Sequence, residues 1–134
     1  MNFEYRWAMP NKETFKIKPI REFITKHLDK YQGEVFVNEI YNFGFVIDPF
    51  AKRKHEFASI TNDINPGCDT HYNLDALEFL DMFDDNSIDA ILFDPPYSLR
   101  QLYECYDGIG KSLSKYDTNL FFNDVKDKIA SKLK

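Results

Sequence analysis

Apolar side chains recur along this chain in short bursts between polar turns, and the spacing within each burst predicts the element it forms. Behind Pro19, the residues Ile20, Phe23, Ile24 and Leu28 follow at three- and four-residue intervals. That spacing predicts a helix over roughly 19–30, opened by proline and ended near Gly33. Residues 1–16 read as irregular, with a turn at Pro10-Asn11. Residues 34–42 fit either a strand or an extension of the helix. Short apolar runs at 43–47, 57–61 and 88–93 predict strands, and 71–74 predicts a weaker one. A helix is expected from Asp75 to about Phe83, and two more at roughly 98–107 and 118–133. The last carries Phe121, Val125, Ile129 and Leu133 four residues apart, a stripe that needs burial.

Short strands alternating with helices imply an α/β fold built on a parallel sheet of about four strands. Each strand is punctuated at its C-terminal end by a carboxylate: Asp48, Asp63 and Asp94, with Asp75 opening the helix after the third. Open α/β sheets bind ligands at that edge. Gathering four acids there exceeds what loop chemistry requires.

Composition narrows the class. The 134 residues suit one domain spanning 1–134, and 43% apolar content with 13 Phe and 8 Tyr argues for a folded core. No run approaches the roughly 20 apolar residues of a membrane span. Met1-Asn2-Phe3-Glu4-Tyr5-Arg6-Trp7 lacks the layout of a secretory signal, so cytoplasmic residence is expected. Cys68 and Cys105 form neither a disulfide framework nor a zinc site. His27, His55 and His71 are scattered, and none reads as a metal ligand or general base; no metal is expected. Tyr103, Cys105 and Tyr106 read as helix-packing residues. A net charge of −5 disfavours a large non-specific nucleic-acid surface. Local basic groups remain, namely Lys52-Arg53-Lys54-His55 and Lys12, Lys16, Lys18 and Arg21. They fit either a basic rim or ordinary solvated faces.

Asp94-Pro95-Pro96-Tyr97, at the end of the fourth apolar run, carries the chemistry. Two prolines fix φ and cannot continue a ladder, so the chain leaves the sheet rigidly while the proline carbonyls still accept. A carboxylate, a fixed carbonyl and an aromatic ring together suit a planar exocyclic amine: two acceptors for its N–H groups, and a ring to stack on. A rigid strand-to-helix turn is the plainer alternative. Chance supplies such a match in on the order of one chain in a hundred of this length.

The motif resembles that of the amino-group DNA methyltransferases, Asp/Asn/Ser-Pro-Pro-Tyr/Phe/Trp. Other segments extend the resemblance in order. Thr14-Phe15-Lys16-Ile17-Lys18-Pro19-Ile20-Arg21 is similar to their Lys-Pro motif, and Val46-Ile47-Asp48-Pro49-Phe50-Ala51 to their Asp-Pro-Phe-Ala-Gly cofactor loop. Thr61-Asn62-Asp63-Ile64-Asn65-Pro66 resembles the second-strand motif. With Asp75-Ala76-Leu77-Glu78-Phe79-Leu80 and Tyr97-Ser98-Leu99-Arg100-Gln101, the set resembles a phage-type adenine N6 DNA methyltransferase family.

That resemblance implies a Rossmann-like fold and S-adenosyl-L-methionine as cofactor. Asp94 and the Pro95 carbonyl would hold the target amine, Pro96 would stiffen the loop, and Tyr97 would stack on a base flipped from DNA. Lys18, Asp48, Pro49, Phe50, Ala51, Asp63, Ile64, Asp75 and Asp94 would contribute to the cofactor pocket. Within it, Asp63 either accepts from the ribose hydroxyls or makes an Asx-turn before Asn65, and Ile64 packs on the adenine. Asp75 either caps the following helix, contacts the adenine amine, or does both. Asp48 either organises the cofactor loop, through the methionine ammonium, or simply ends a strand.

The main departure follows Ala51. The family expects glycine there, and this chain has Lys52-Arg53-Lys54. Either the loop swings wide with a cation reaching the cofactor carboxylate, or the pocket is impaired. Family members also continue into strands absent here, so the sheet is expected to be incomplete, with the Asp94 strand near an open edge. A truncated product, a half that pairs with a second chain, and self-association each account for that. The alternative function is therefore a catalytically inactive half that binds cofactor or acts by association. RNA or a protein amide would keep the chemistry with another acceptor; Asp rather than Asn at 94 favours DNA adenine.

Overall fold

A computed structural model describes residues 14–28, 44–95 and 117–134. The chain falls into two compact units, Met1–Gly44 and Phe45–Lys134. In the first, a 3-10 turn at Thr14–Lys16 leads into α1, Lys18–Leu28. The apolar spacing is realised: Ile24 and Leu28 are buried, while Lys18, Glu22, Thr25 and Lys26 are exposed. The segment 34–42 lies outside the described residues, as does the helix expected at 98–107.

The second unit is α/β, with a small parallel sheet. Its strands are β1 (Val46–Asp48), β2 (Ile60–Thr61) and β3 (Ala90–Ile91), and its helices α2 (Ala76–Asp81) and α3 (Asp117–Lys132). β1 is central, pairing with β2 through Ile47–Ile60 and Asp48–Thr61 and with β3 through Val46–Ala90 and Ile47–Ile91. Val46, Ile47 and Asp48 are all buried, as expected for a parallel strand covered on both faces.

The strands are shorter than the apolar runs that predicted them. Phe57 is buried but lies outside β2, and the weak third strand contracts to one parallel bridge between Asn62 and Tyr72. Side chains take the backbone partners there: the Thr61 N–H donates to His71 Nδ1 at 3.1 Å, and Asn73 Nδ2 donates to the Asn65 carbonyl at 3.0 Å. Such local bonds compete with a ladder. At the other margin, Ile88 bridges Leu133 in parallel, through Ile88 N–H to the Lys132 carbonyl and Lys134 N–H to the Ile88 carbonyl, both 3.0 Å. The margin expected to stand open at the Asp94 strand is therefore engaged at its start by the residues that follow α3.

From β1 the chain passes to β2, outward to the Tyr72 bridge, and back through α2 to β3 on the other side of β1. Direction of winding thus reverses between β1 and β3, and the crevice beyond their carboxyl ends is where such sheets bind ligands. No helix fills the connection from β1 to β2; residues 49–59 run as turns and one bridge, Arg53 to Asp69.

The core joins Ile47 and Ile88 to Ala76, Phe79 and Leu80 of α2 and to Phe121 and Val125 of α3. Phe79 stacks edge-on to Phe83, ring centroids 5.2 Å apart, and Phe83 meets Phe45 at 5.8 Å. Fully buried side chains of this size each contribute roughly 1.5–3 kcal/mol. The stripe predicted on the last helix is the one that packs, with Ile129 and Leu133 partly buried against the same core. Outside it, Lys128, Lys132 and Lys134 pair with Asp81, Asp85 and Asp89. No described helix is long and apolar enough to cross a membrane.

Candidate functional site

Asp48 ends β1 with no exposure at all, yet neither carboxylate oxygen lacks a donor. Oδ1 accepts the Phe50 N–H at 2.9 Å, closing the turn through Pro49. Oδ2 lies 2.9 Å from His55 Nε2, on a side chain only 9% exposed. Burial pushes the Asp48 carboxyl above its usual range. The His55 and Phe50 hydrogen bonds oppose that rise, and the nearby Asp94 charge adds to it.

The loop after β1 is tied to its neighbours. Ala51 N–H donates to the Asn62 carbonyl at 2.8 Å, and Asn62 N–H to the Asp48 carbonyl at 2.8 Å. The buried Asn62 amide donates to Pro49 and Leu74 carbonyls at 3.2 and 2.9 Å and accepts the Leu74 N–H at 2.9 Å. Asn62 thereby joins the loop bearing Asp48 to the one bearing Asp75.

Lys52 occupies the place where the resemblance expects glycine, and its φ of 57° lies in the left-handed region that glycine favours. Its N–H donates to Asp63 Oδ2 at 3.2 Å, and the Arg53 N–H closes the turn on the Ala51 carbonyl at 2.6 Å. The left-handed turn is made here without the residue that adopts it most readily. Asp63 Oδ1 accepts the Asn65 N–H at 2.9 Å, so the Asx-turn is formed. An ionised carboxylate offers about four acceptor positions, so these two bonds leave room for two hydroxyl donors. Ile64 beside it is partly buried.

Asp75 caps α2, its Oδ1 accepting the Leu77 N–H at 2.9 Å. Asp94 differs from the other three. It is half-buried, two residues beyond Leu92, whose N–H donates to the Ile47 carbonyl at 2.9 Å. Among the described residues no group donates a hydrogen bond to its carboxylate. Pro95 is buried, and Phe93 sets its ring 5.8 Å from that of Phe50, joining the ends of β3 and β1. Pro96 and Tyr97 lie outside the described residues. Lys18 belongs to the first unit, its side chain 86% exposed and 3.8 Å from Glu22.

The sheet thus brings Asp48, Pro49, Phe50, Ala51, Asp63 and Asp94 to one carboxyl edge, with Asp75 tied in through Asn62. Two residues of this edge have roles that the sequence did not assign them. His55 closes a run of three exposed cations and turns inward beside Phe57, ring centroids 6.2 Å apart. Its closeness to buried Phe57 was the available signal. Asn62 gave none, because its partners lie 12 and 13 residues away. No cluster of three or more His, Cys, Asp or Glu suited to a metal occurs among the described residues. No family model, curated protein or solved structure matches the chain.

Proposed function

We propose that the chain carries the carboxyl-edge site of an S-adenosyl-L-methionine-dependent methyltransferase acting on an exocyclic amine, adenine N6 in DNA before other acceptors. The observation that supports this most is the state of Asp94: a half-buried carboxylate at the reversal point of a parallel sheet, without an internal donor among the described residues. A Rossmann-like methyltransferase fold is part of the proposal, and the winding order of the strands supports it.

The donor set fits the cofactor at Asp63, which keeps acceptor capacity for a ribose diol. When bound, the cofactor supplies a methyl group on a sulfonium, reactive enough that no prior deprotonation of the amine is needed. Asp94 and the Pro95 carbonyl accept the two amine N–H groups and aim the nitrogen lone pair, so that positioning carries most of the rate. Tyr97 stacks on the base. Asp48 acts from inside the loop, fixing Phe50, and His55 holds Asp48 in turn.

A second reading, a cofactor-binding or association module without turnover, is favoured by one feature. The connection from β1 to β2 has no helix, and Lys52 replaces glycine at its left-handed turn. A helix N-terminus would otherwise present donors to a ligand there.

Transfer of labelled methyl from adenosylmethionine to duplex and single-stranded DNA tests the proposal. Incorporation at adenine, abolished in Asp94→Ala, is expected. Calorimetric binding of cofactor without incorporation, alone or with a complementing chain, selects the module. Absence of both overturns both.

A further inference from the structure

The carboxyl edge of the sheet is acidic, and one run of cations, Lys52-Arg53-Lys54, lies in the loop that borders it. The three are not equivalent. Lys54 pairs with Asp69 at 3.4 Å, and Arg53 has bonds of its own. Lys52 is exposed, and among the described residues no carboxylate pairs with its ammonium. Elsewhere in this unit lysines are matched one for one: Lys128 with Asp81, Lys132 with Asp85 and Lys134 with Asp89. Lys126 is the other described lysine of the unit without such a partner. It belongs to α3, whose last residues lie at the opposite end of β3, beside Ile88. The Lys52 backbone, by contrast, is fixed to the edge. Its N–H donates to Asp63 Oδ2 at 3.2 Å, and on either side of it Ala51 is tied to Asn62 and Arg53 to Ala51. Its φ of 57° is strained for a residue with a side chain, and such residues gather at ligand sites.

We infer that the Lys52 ammonium binds the carboxylate of the ligand held at this edge, the amino-acid end of an adenosyl amino acid. The assignment rests on the adenosylmethionine reading of the site and names the side chain that selects one end of that ligand. Charge explains why a cation is needed. The sulfonium and ammonium of such a ligand suit an edge lined by Asp48, Asp63 and Asp94, whereas its carboxylate is repelled by the same acids. In open sheets a helix N-terminus commonly offers donors to an anion there. Here residues 49–59 form no helix, so those backbone donors are missing. A side-chain charge at the turn takes their place. Lysine suits that task, being a point charge on a flexible stem that needs no fixed fork geometry.

Calorimetry of the full chain with two probes tests the assignment: S-adenosylhomocysteine, which carries the carboxylate, and 5′-methylthioadenosine, which ends at the thioether. Lys52→Ala should weaken the first roughly 10-fold, the size of one hydrogen bond between charged groups, and leave the second unchanged. Lys52→Arg should recover most of that loss. Lys52→Gly, which removes the charge and relieves the turn, should lose as much as Lys52→Ala while unfolding no more easily, so the loss is not one of fold. Lys126→Ala should change neither affinity. Equal weakening of both probes in Lys52→Ala, no weakening of either, or no recovery in Lys52→Arg each overturns the inference. A parent chain that binds neither probe overturns it together with the cofactor reading. Selective weakening with no methyl incorporation into DNA removes the transfer reading alone. Incorporation with unselective or absent weakening removes this inference alone.

Discussion

The ends of β1 and β3 carry the same side chain in opposite states. Asp48 is sealed from solvent and held by Phe50 N–H and His55, while Asp94, three residues beyond the neighbouring strand, is half-buried with no donor among the described residues. Position in the fold makes both look functional; only bonding separates them. A carboxylate with its oxygens satisfied inside holds backbone in place, and one with no donor among the described residues is the better candidate for a ligand contact. The difference predicts that Asp48 governs stability and Asp94 governs chemistry.

The sharpest way to break that division is at Asp48. Asp48→Ala should cost about 1–3 kcal/mol in urea unfolding for each donor it strands, the Phe50 N–H and the buried His55 ring. A cost below ~1 kcal/mol would mean that the pair is not a structural anchor. Asp94→Ala should do the reverse, cutting methyl incorporation by roughly 10²–10³-fold, about 2.7–4 kcal/mol of transition-state stabilisation. Its unfolding free energy should stay within about 1 kcal/mol of the parent.

Asp89 extends the comparison to pH. The Phe45 N–H at 2.7 Å and Lys134 at 2.9 Å hold its carboxyl below the usual range, the opposite of Asp48. A depressed carboxyl contributes stability that is complete above the unfolded value near ~3.9 and lost as pH falls through the folded value. The raised Asp48 carboxyl runs the other way: acidification through its folded value towards ~3.9 adds stability. Asp89→Asn, which keeps an acceptor for the Phe45 N–H, should cost about 1 kcal/mol at pH 7 and flatten the acid limb of a urea-midpoint profile. Asp48→Asn should steepen the same limb. The smallest effect belongs to Lys52, where glycine would relieve a left-handed backbone costing ~1–2 kcal/mol and reintroduce ~0.4–1 kcal/mol of unfolded-chain entropy. Lys52→Gly should raise the unfolding midpoint slightly.

Local physics made part of this legible in advance. The helix stripes at Ile24 and Leu28 and at Phe121 and Val125, the Asp75 cap and the carboxylates at the strand ends all follow from spacing or neighbouring residues. Strand lengths did not follow, because apolar content says a residue is buried, not that its backbone is paired; Phe57 is the instance. His71 and Asn73 then took hydrogen bonds that an uninterrupted third strand would have used. The bonding roles of His55 and Asn62 were not legible because their partners are set by tertiary closure of turns that have no period. The chemistry read into Asp94 to Tyr97 came from order of motifs, and the structure adds the bonding state of Asp94.

Asn62 has a kinetic consequence. Its single amide clasps the Pro49 carbonyl and both polar groups of Leu74, and its own backbone is bonded to Asp48 and Ala51. The segments bearing Asp48 and Asp75 cannot fray one at a time without orphaning a buried amide, so they should open as one cooperative unit. Amide protons of Ala51, Asn62 and Leu74 should then exchange with a shared free energy of opening. In Asn62→Ala the three should part company, each exchanging on its own schedule.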